Sequence, residues 1–442
     1  MKTPLQIWIY LRSSFWFTPS LIVAGSIALA ISLVYVDTVI GDDLLSEWPR
    51  LFGAGAEGSR EMLSTIASSM MTVVGVTFSM TLVTLSLASS QYTSRVLGNF
   101  IRSPITQAAL GIFAGIFTYC LIVLRVIRSG DEVVFVPSIA VLVGVVLALV
   151  GIGILILFIH HIATSIQASN IISSVADETI DAMDEVFLRK LERVSDEEDE
   201  ARLAHISTAT DLEWHTVPGP KNGYIESVNY ASLKDLAQKL NIVIKMNVGI
   251  GDFVVKNMAL ASIARQDPPD EETVDRICAY YSIGNQRTIE QDPGFGIRQI
   301  VDVALKALSP GINDTTTAAI CVDYLTTILC HLAPRDFPSR IYYEEGKPRL
   351  IAAGPTFAIL LETSFDQIRR SAKGNVTVMI RMLDALRTIA TQTVMESRLE
   401  ALLNQALRVS ELAHRSVESA HELMEIDARL ADMAGAVNRG GE

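Results

Sequence analysis

Hydroxyl side chains recur at helical spacing through one apolar stretch, LSTIASSMMTVVGVTFSMTLVTLSLASSQYTSR, beginning at Leu63. At about 100° per residue, Thr65, Ser68, Ser69, Thr72, Gly75, Ser79, Ser86 and Ser90 fall within an arc of roughly 120°. Ile66, Met70, Val74, Phe78, Leu82 and Leu85 lie opposite. Neutral hydroxyls both donate and accept, so a row of them can replace part of an ion's hydration shell without trapping it. The same small residues also let helices approach closely, and each hydroxyl can bond the carbonyl one turn back. Both readings stand at this level. In the aqueous one, Thr65, Ser68, Ser69, Thr72, Ser79 and Ser86 line a pore, and Val76 and Val83 form apolar rings that gate it by dewetting.

Charge could act at two further places. Arg125 and Arg128, followed by Asp131 and Glu132, close an apolar run. In an oligomer they would form charge rings that select the sign of an entering ion; alone they snorkel at the membrane interface. The segment RTIEQDPGFGIRQIVDVALKALSPGINDTTT, Arg287 to Thr317, gathers Arg287, Asp292, Arg298, Asn313 and Asp314. Turn formation and helix capping account for these types. Pro293, Gly294 and Gly296 turn into a helix that stops at Pro310, Arg298 pairs with Asp302 four residues on, and Asp314 caps the next helix. No Ser-His-Asp set, zinc motif or phosphate-cradling loop stands beside them, so no catalytic residue, metal or cofactor is expected, and the chain is not read as an enzyme.

The elements that must position these residues begin with four apolar spans: residues 17 to 40, Leu63 to Ser89, Gln107 to Ile127 and Val134 to Ile159, with Pro137 in a first turn. Lys2 and Arg12 precede the first span and acids follow it, which puts both termini on the cytoplasmic side. No charge lies deep in any span, and an ion-coupled transporter usually needs one. Gly111 and Gly115 make a Gly-x-x-x-Gly step suited to assembly. Four helices leave little room for a pore within one subunit, so conduction implies a homo-oligomer.

Beyond the fourth span, a helical pattern from Ile166 through Phe187 reads as its amphipathic extension, ended by the acidic run Ser195 to Glu200. Strands are expected over Trp214–Val217, Tyr224–Asn229, Ile242–Met246, Phe253–Val255 and Ala259–Ile263. GIGDFVVKNMALASI, from Gly249, resembles the closing turns of small barrel-sandwich domains, with Asn257 at a φ > 0 position. Lys245 lies within a strand rather than at a hairpin tip, so no biotin or lipoate is expected. Helices dominate from Thr273, with a break at Gly374 and Asn375.

The 442 residues are half apolar and only 19% charged, and the apolar excess lies before Ile162. The net charge of −13 argues against nucleic acid, which needs a basic face. The four cysteines show no metal or disulfide spacing.

The Arg287–Thr317 motif, with the Ser/Thr-rich span ending SSQYTSRVLGNF, resembles a widespread bacterial family of predicted membrane proteins, domain of unknown function 2254. The likeness covers nearly the whole chain, although Thr315 stands where that family's pattern has proline. It implies a bacterial inner membrane protein and brings no activity or catalytic residue.

The sequence thus describes a four-helix transmembrane domain (1–162), an amphipathic connector (163–200), a small β-barrel-like subdomain (201–265), a helical cytoplasmic domain (266–434) and a disordered tail (435–442). The leading function is a homo-oligomeric passive ion channel, in contact with the lipid bilayer and with permeating ions. The alternative is a non-conducting scaffold or sensor whose soluble part binds a protein or small ligand.

Overall fold

A computed structural model describes residues 16–40, 55–91, 104–129, 134–165, 167–188, 193–194, 202, 213–289, 291–335 and 337–440. The chain divides into two compact units, Met1–Asn170 and Ile171–Glu442.

The first unit contains α1 (Phe17–Ile40), α2 (Ala56–Gln91), α3 (Pro104–Val126) and α4 (Ser138–Ser165), with a short antiparallel pair, β1 (Arg128–Ser129) and β2 (Val134–Phe135), between α3 and α4. Pro137 precedes the last helix rather than lying in its first turn, and its carbonyl accepts from Val141 N at 2.9 Å. At 36 residues, α2 is about 54 Å long, well beyond the roughly 30 Å hydrocarbon core.

Glycines set the packing. A Cβ at Gly111 would stand 2.8 Å from Pro19 Cα, and one at Gly115 would stand 2.4 Å from Ser26 Oγ. The Gly-x-x-x-Gly step therefore seats α1 against α3 within the chain, and it is not left free for assembly. Gly144 and Gly151 of α4, seven residues apart, receive Leu63 and Met70 of α2, also seven apart; their Cβ atoms would meet Leu63 Cδ2 at 2.9 Å and Met70 Sδ at 3.5 Å.

Among the described residues five helices, not four, are long and apolar enough to cross a membrane. The fifth, Thr315–Leu332, lies in the second unit, and length and composition alone do not separate it from a core helix.

The second unit begins within α5 (Ala168–Leu188). α4 ends at Ser165 and α5 starts at Ala168, and Asn170 Nδ2 donates to Thr164 O at 2.8 Å. The acidic run Ser195–Glu200 lies outside the described residues.

A short antiparallel pair joins β3 (Arg193–Val194) to β10 (Phe337–Pro338). The expected strands form as β4 (Glu213–Pro218), β5 (Gly223–Val228), β6 (Val243–Met246), β7 (Phe253–Val254) and β8 (Ala259–Arg265). They do not close into a barrel. A five-stranded sheet runs β11-β12-β6-β8-β4 and a three-stranded one β7-β5-β9, recruiting β9 (Tyr281–Gly284), β11 (Ile341–Glu344) and β12 (Lys347–Ile351) from beyond Arg265. β5 leaves β4 to pair with β7 and β9, while β12 joins β6 in parallel, so both sheets keep open edges. Between β5 and β6 runs α6 (Tyr230–Leu240), and α7 (Glu271–Cys278) follows β8. Asn257 has φ +69°, as its place before a strand requires.

The remaining helices are α8 (Pro293–Ala307), α9 (Thr315–Leu332), α10 (Phe357–Ser371), α11 (Val376–Ala390), α12 (Glu396–Ser416) and α13 (Ala420–Gly440). α9 packs against α8 and α11, α10 against α8 and α12, and α13 against α11 and α12. Gly374 at φ +76° and Asn375, whose side chain accepts from Val378 N, make the expected break. The tail expected to be disordered from Gly435 continues α13 to Gly440.

Arg398 of α12 is only 2% exposed. Its guanidinium lies 5.1 Å from both the Phe337 and Phe357 rings and donates to the carbonyls of Leu332, Ala333 and Arg335, closing the C-terminal end of α9.

Candidate functional site

The two faces of α2 differ in what covers them. Leu63, Ala67, Met70, Thr77 and Thr84 are buried, and Ile66, Val73 and Val74 are half-buried. Thr65, Ser68, Ser69, Thr72, Gly75, Ser79 and Ser86 are all exposed on the other side, with Val76 at 52% and Val83 at 57%, and the exposed side also takes in Met71, Phe78 and Leu82, the last two of which the wheel set opposite the hydroxyls. Ser90's side chain lies outside the described residues. The hydroxyl stripe therefore does not pack α2 against the other three helices of its own chain. Thr65 Oγ1 donates to Glu61 O at 2.8 Å and Thr72 Oγ1 to Ser68 O at 3.0 Å, so these two hydroxyls keep a lone pair for an outside donor. The other exposed faces in this unit are different in kind: on α4 Val146, Leu149, Val150, Ile152, Ile156, Leu157 and Ile159, with Gly153 among them and His160 at the end, and on α1 Leu21, Leu29, Ile31, Tyr35 and Val39, mostly side chains that suit lipid.

The stripe has acidic company at the start of α2. Glu57 and Glu61 are exposed, and Glu61, one turn before Thr65, falls inside the same arc. On the helical wheel the arc extends to Glu61, two residues ahead of the apolar run that begins at Leu63. Arg60 Nη2 donates to Ile127 O at 2.9 Å, which brings the C-terminal end of α3 to the same end of α2. Arg125, on the last turn of α3, is exposed; Arg128 lies in β1, its side chain outside the described residues.

Asp37 lies in the last turns of α1, 8% exposed, and its two carboxylate oxygens accept from Ile139 N at 3.1 Å and Ala140 N at 3.0 Å, capping α4. Tyr119 of α3 donates its hydroxyl to Ala140 O at 2.7 Å. Three helices are thus joined at one end of the unit.

In the second unit the structure brings two sequence motifs together. Asp292 caps α8 through Phe295 N at 3.1 Å, and Arg287 Nε donates to the other carboxylate oxygen at 2.8 Å. The Gly249–Asp252 turn lies directly on this pair: Gly251 has φ +89°, and its Cβ would fall 2.3 Å from Asp292 Oδ2. Burial raises the Asp292 pKa above the usual carboxylate range, against the opposing pull of Arg287. Arg298 and Asp302 pair at 3.0 Å.

Asn313 adopts φ +51°, and Asp314 accepts from Thr317 N at 3.0 Å and Thr317 Oγ1 at 2.5 Å, bonds that hold its carboxyl below the usual range. Thr315 Oγ1 accepts from Asn375 Nδ2 at 2.9 Å, a tie to the cap of α11 that proline could not provide. Gly296 admits Thr179 of α5, and Asp184 accepts from His331 and Arg335, so α5 is held to α8 and α9. All five motif residues build turns, caps or ion pairs.

The predicted membrane protein family DUF2254 matches residues 12–388. The chain belongs to this family. Among DUF2254 relatives, the uncharacterized proteins Mb1321c of Mycobacterium bovis and Rv1290c of Mycobacterium tuberculosis are each 30% identical over 415 residues, spanning 92% of this chain and 77% of theirs. No solved structure matches. As a membrane protein of DUF2254 the chain contacts a lipid bilayer through its apolar helices, and the uncovered aliphatic face of α4 suits that contact.

Proposed function

We propose that the chain is a homo-oligomeric passive ion channel of the bacterial inner membrane, with α2 around a shared axis and no enzymatic activity. One observation carries this reading: among the described residues the hydroxyl stripe of α2 is left exposed, whereas the exposed face of α4 from Val146 to Ile159 is apolar. Hydroxyls turned outward from one subunit find polar surroundings when copies bring them to a common axis. Val76 and Val83 are the narrow apolar rings of that axis. Arg125, with Glu57 and Glu61, sets charge at its mouth.

In this reading α1 to α4 span the membrane and α9 is a core helix of the second unit. Packing of α9 against α8 and α11 and the three bonds from Arg398 to its C-terminal end support that assignment. Both termini are cytoplasmic, and the second unit forms a vestibule or regulatory domain. The test is purified protein in planar bilayers. Conductance above that of empty membranes, changed by substitution of Val76 or Val83, is expected; its absence sinks the channel.

A non-conducting scaffold or sensor is the second reading, favoured by Gly75. Its Cβ position has nothing within 4 Å, and a helix-interior glycine without neighbours suits close approach by a helix of another copy. A dry α2–α2 contact along Thr65 to Ser86 in the assembled protein would decide for it.

A further inference from the structure

We propose that loops 218–224 and 253–258 of the second unit form a tip that docks on an anionic membrane surface, independently of whether the protein conducts. β7 is an edge strand, and its side chains alternate: Val254 is fully buried, while Phe253 at 50% and Val255 at 51% point outward. Met258, 45% exposed, follows in the same loop, and Tyr224 packs edge-on against Phe253 at 5.0 Å.

This apolar surface is held by a preformed backbone. Gly219 N donates to Met258 O at 2.7 Å, Asn257 N to Gly219 O at 2.9 Å, and Lys256 N to Asn222 Oδ1 at 2.7 Å. The left-handed φ of Asn257 closes the turn. Docking would therefore cost little ordering of the loops.

Charge decides the occupant. The two loops, PGPKNGY and FVVKNM, contain Lys221 and Lys256, both exposed, and no acid, in a chain of net charge −13. The neighbouring Asp252 is engaged by Gly249 N at 2.8 Å within its own turn. Lysine is depleted from the cores of protein–protein interfaces, but beside exposed aromatic and aliphatic side chains it suits lipid phosphates, its stem lying along the apolar surface. In a protein anchored in a bilayer, such a surface is present at high effective concentration.

The experiment uses the full chain with Cys278 and Cys330 replaced by serine and a nitroxide at Val255→Cys or, separately, Met258→Cys. The labelled variants should match the unlabelled protein in thermal midpoint. They are reconstituted in vesicles of phosphatidylcholine alone or of an equal mixture with phosphatidylglycerol. In the mixed vesicles, collisions of both labels with oxygen rise and collisions with a water-soluble nickel complex fall. Lys221→Gln and Lys256→Gln each lower the docked-to-free ratio about fivefold. Labels open to the nickel complex in both vesicles overturn the proposal. So do labels shielded from both quenchers, which would mean that protein covers the tip, and so does indifference to the lysine substitutions.

Discussion

The Asp37 carboxylate of α1 holds the backbone N–H groups of Ile139 and Ala140, a little over a hundred residues away, at 3.1 and 3.0 Å. In a membrane helix those first N–H groups have little water to turn to, so the acid completes α4 from outside it. Asp37→Ala is expected to destabilise the membrane unit by about 1–2 kcal/mol, and Asp37→Asn, which keeps one acceptor, by less. Thermal unfolding in detergent measures both; equal loss in the two variants would show that capping is not what Asp37 does.

Gly111 and Gly25 separate close packing from helix propensity. Alanine at Gly111 places its Cβ against the backbone at Pro19, and a loss of about 1–3 kcal/mol is expected. Nothing lies within 4 Å of the Cβ position at Gly25, so Gly25→Ala should be neutral or stabilising by up to about 1 kcal/mol. Unfolding midpoints of the two variants that move together would argue against an α1–α3 contact at Gly111.

Ser79→Cys and Val83→Cys test water along α2. With Cys120 and Cys321 buried and Cys278 and Cys330 replaced, a charged thiol reagent should modify both positions and block conductance if the stripe lines the axis. Failure to react in assembled protein favours the dry scaffold. Val76→Thr should raise the open fraction by wetting the narrow ring.

Two capping acids should respond to pH in opposite senses. Asp292 binds its proton more tightly when folded, so its contribution is fully present at low pH and declines as pH rises through the raised folded value. Asp314, held low first by the Thr317 hydroxyl, contributes above the ordinary carboxylate value and loses that contribution as pH falls through the depressed one. Between about pH 3 and 6, the stability difference from the matching Asn variant should fall with pH for Asp292 and rise for Asp314. Slopes of the same sign would refute the assignment.

Arg398→Ala removes a buried guanidinium and leaves the carbonyls of Leu332, Ala333 and Arg335 short of a donor. A loss of about 3–5 kcal/mol is expected, with Arg398→Lys recovering only part because the ammonium lacks the planar, multi-donor guanidinium. Chemical denaturation followed by a probe in the second unit reads it.

The residues themselves determined whatever acts within a turn or so along the chain. The first four apolar runs, the turn after Asp292, the cap at Asp314, the break at Gly374 and Asn375, the Arg298–Asp302 pair and the left-handed turn at Asn257 depend on neighbours within a few positions, and periodicity and turn chemistry show them. Tertiary structure decided which face of each element is covered. A helical wheel placed the hydroxyls of α2 on one side, but only Leu63 and Met70 seated on Gly144 and Gly151 turned that side outward. Gly111 and Gly115 have the spacing of an assembly motif and are used inside the chain. The barrel did not form because β9, β11 and β12 arrive from elsewhere in the sequence, and Asp37 and Arg398 have their partners a hundred and more than sixty residues away. Contacts at such separations leave no period in the sequence, since each is set by which distant surface happens to fill the space.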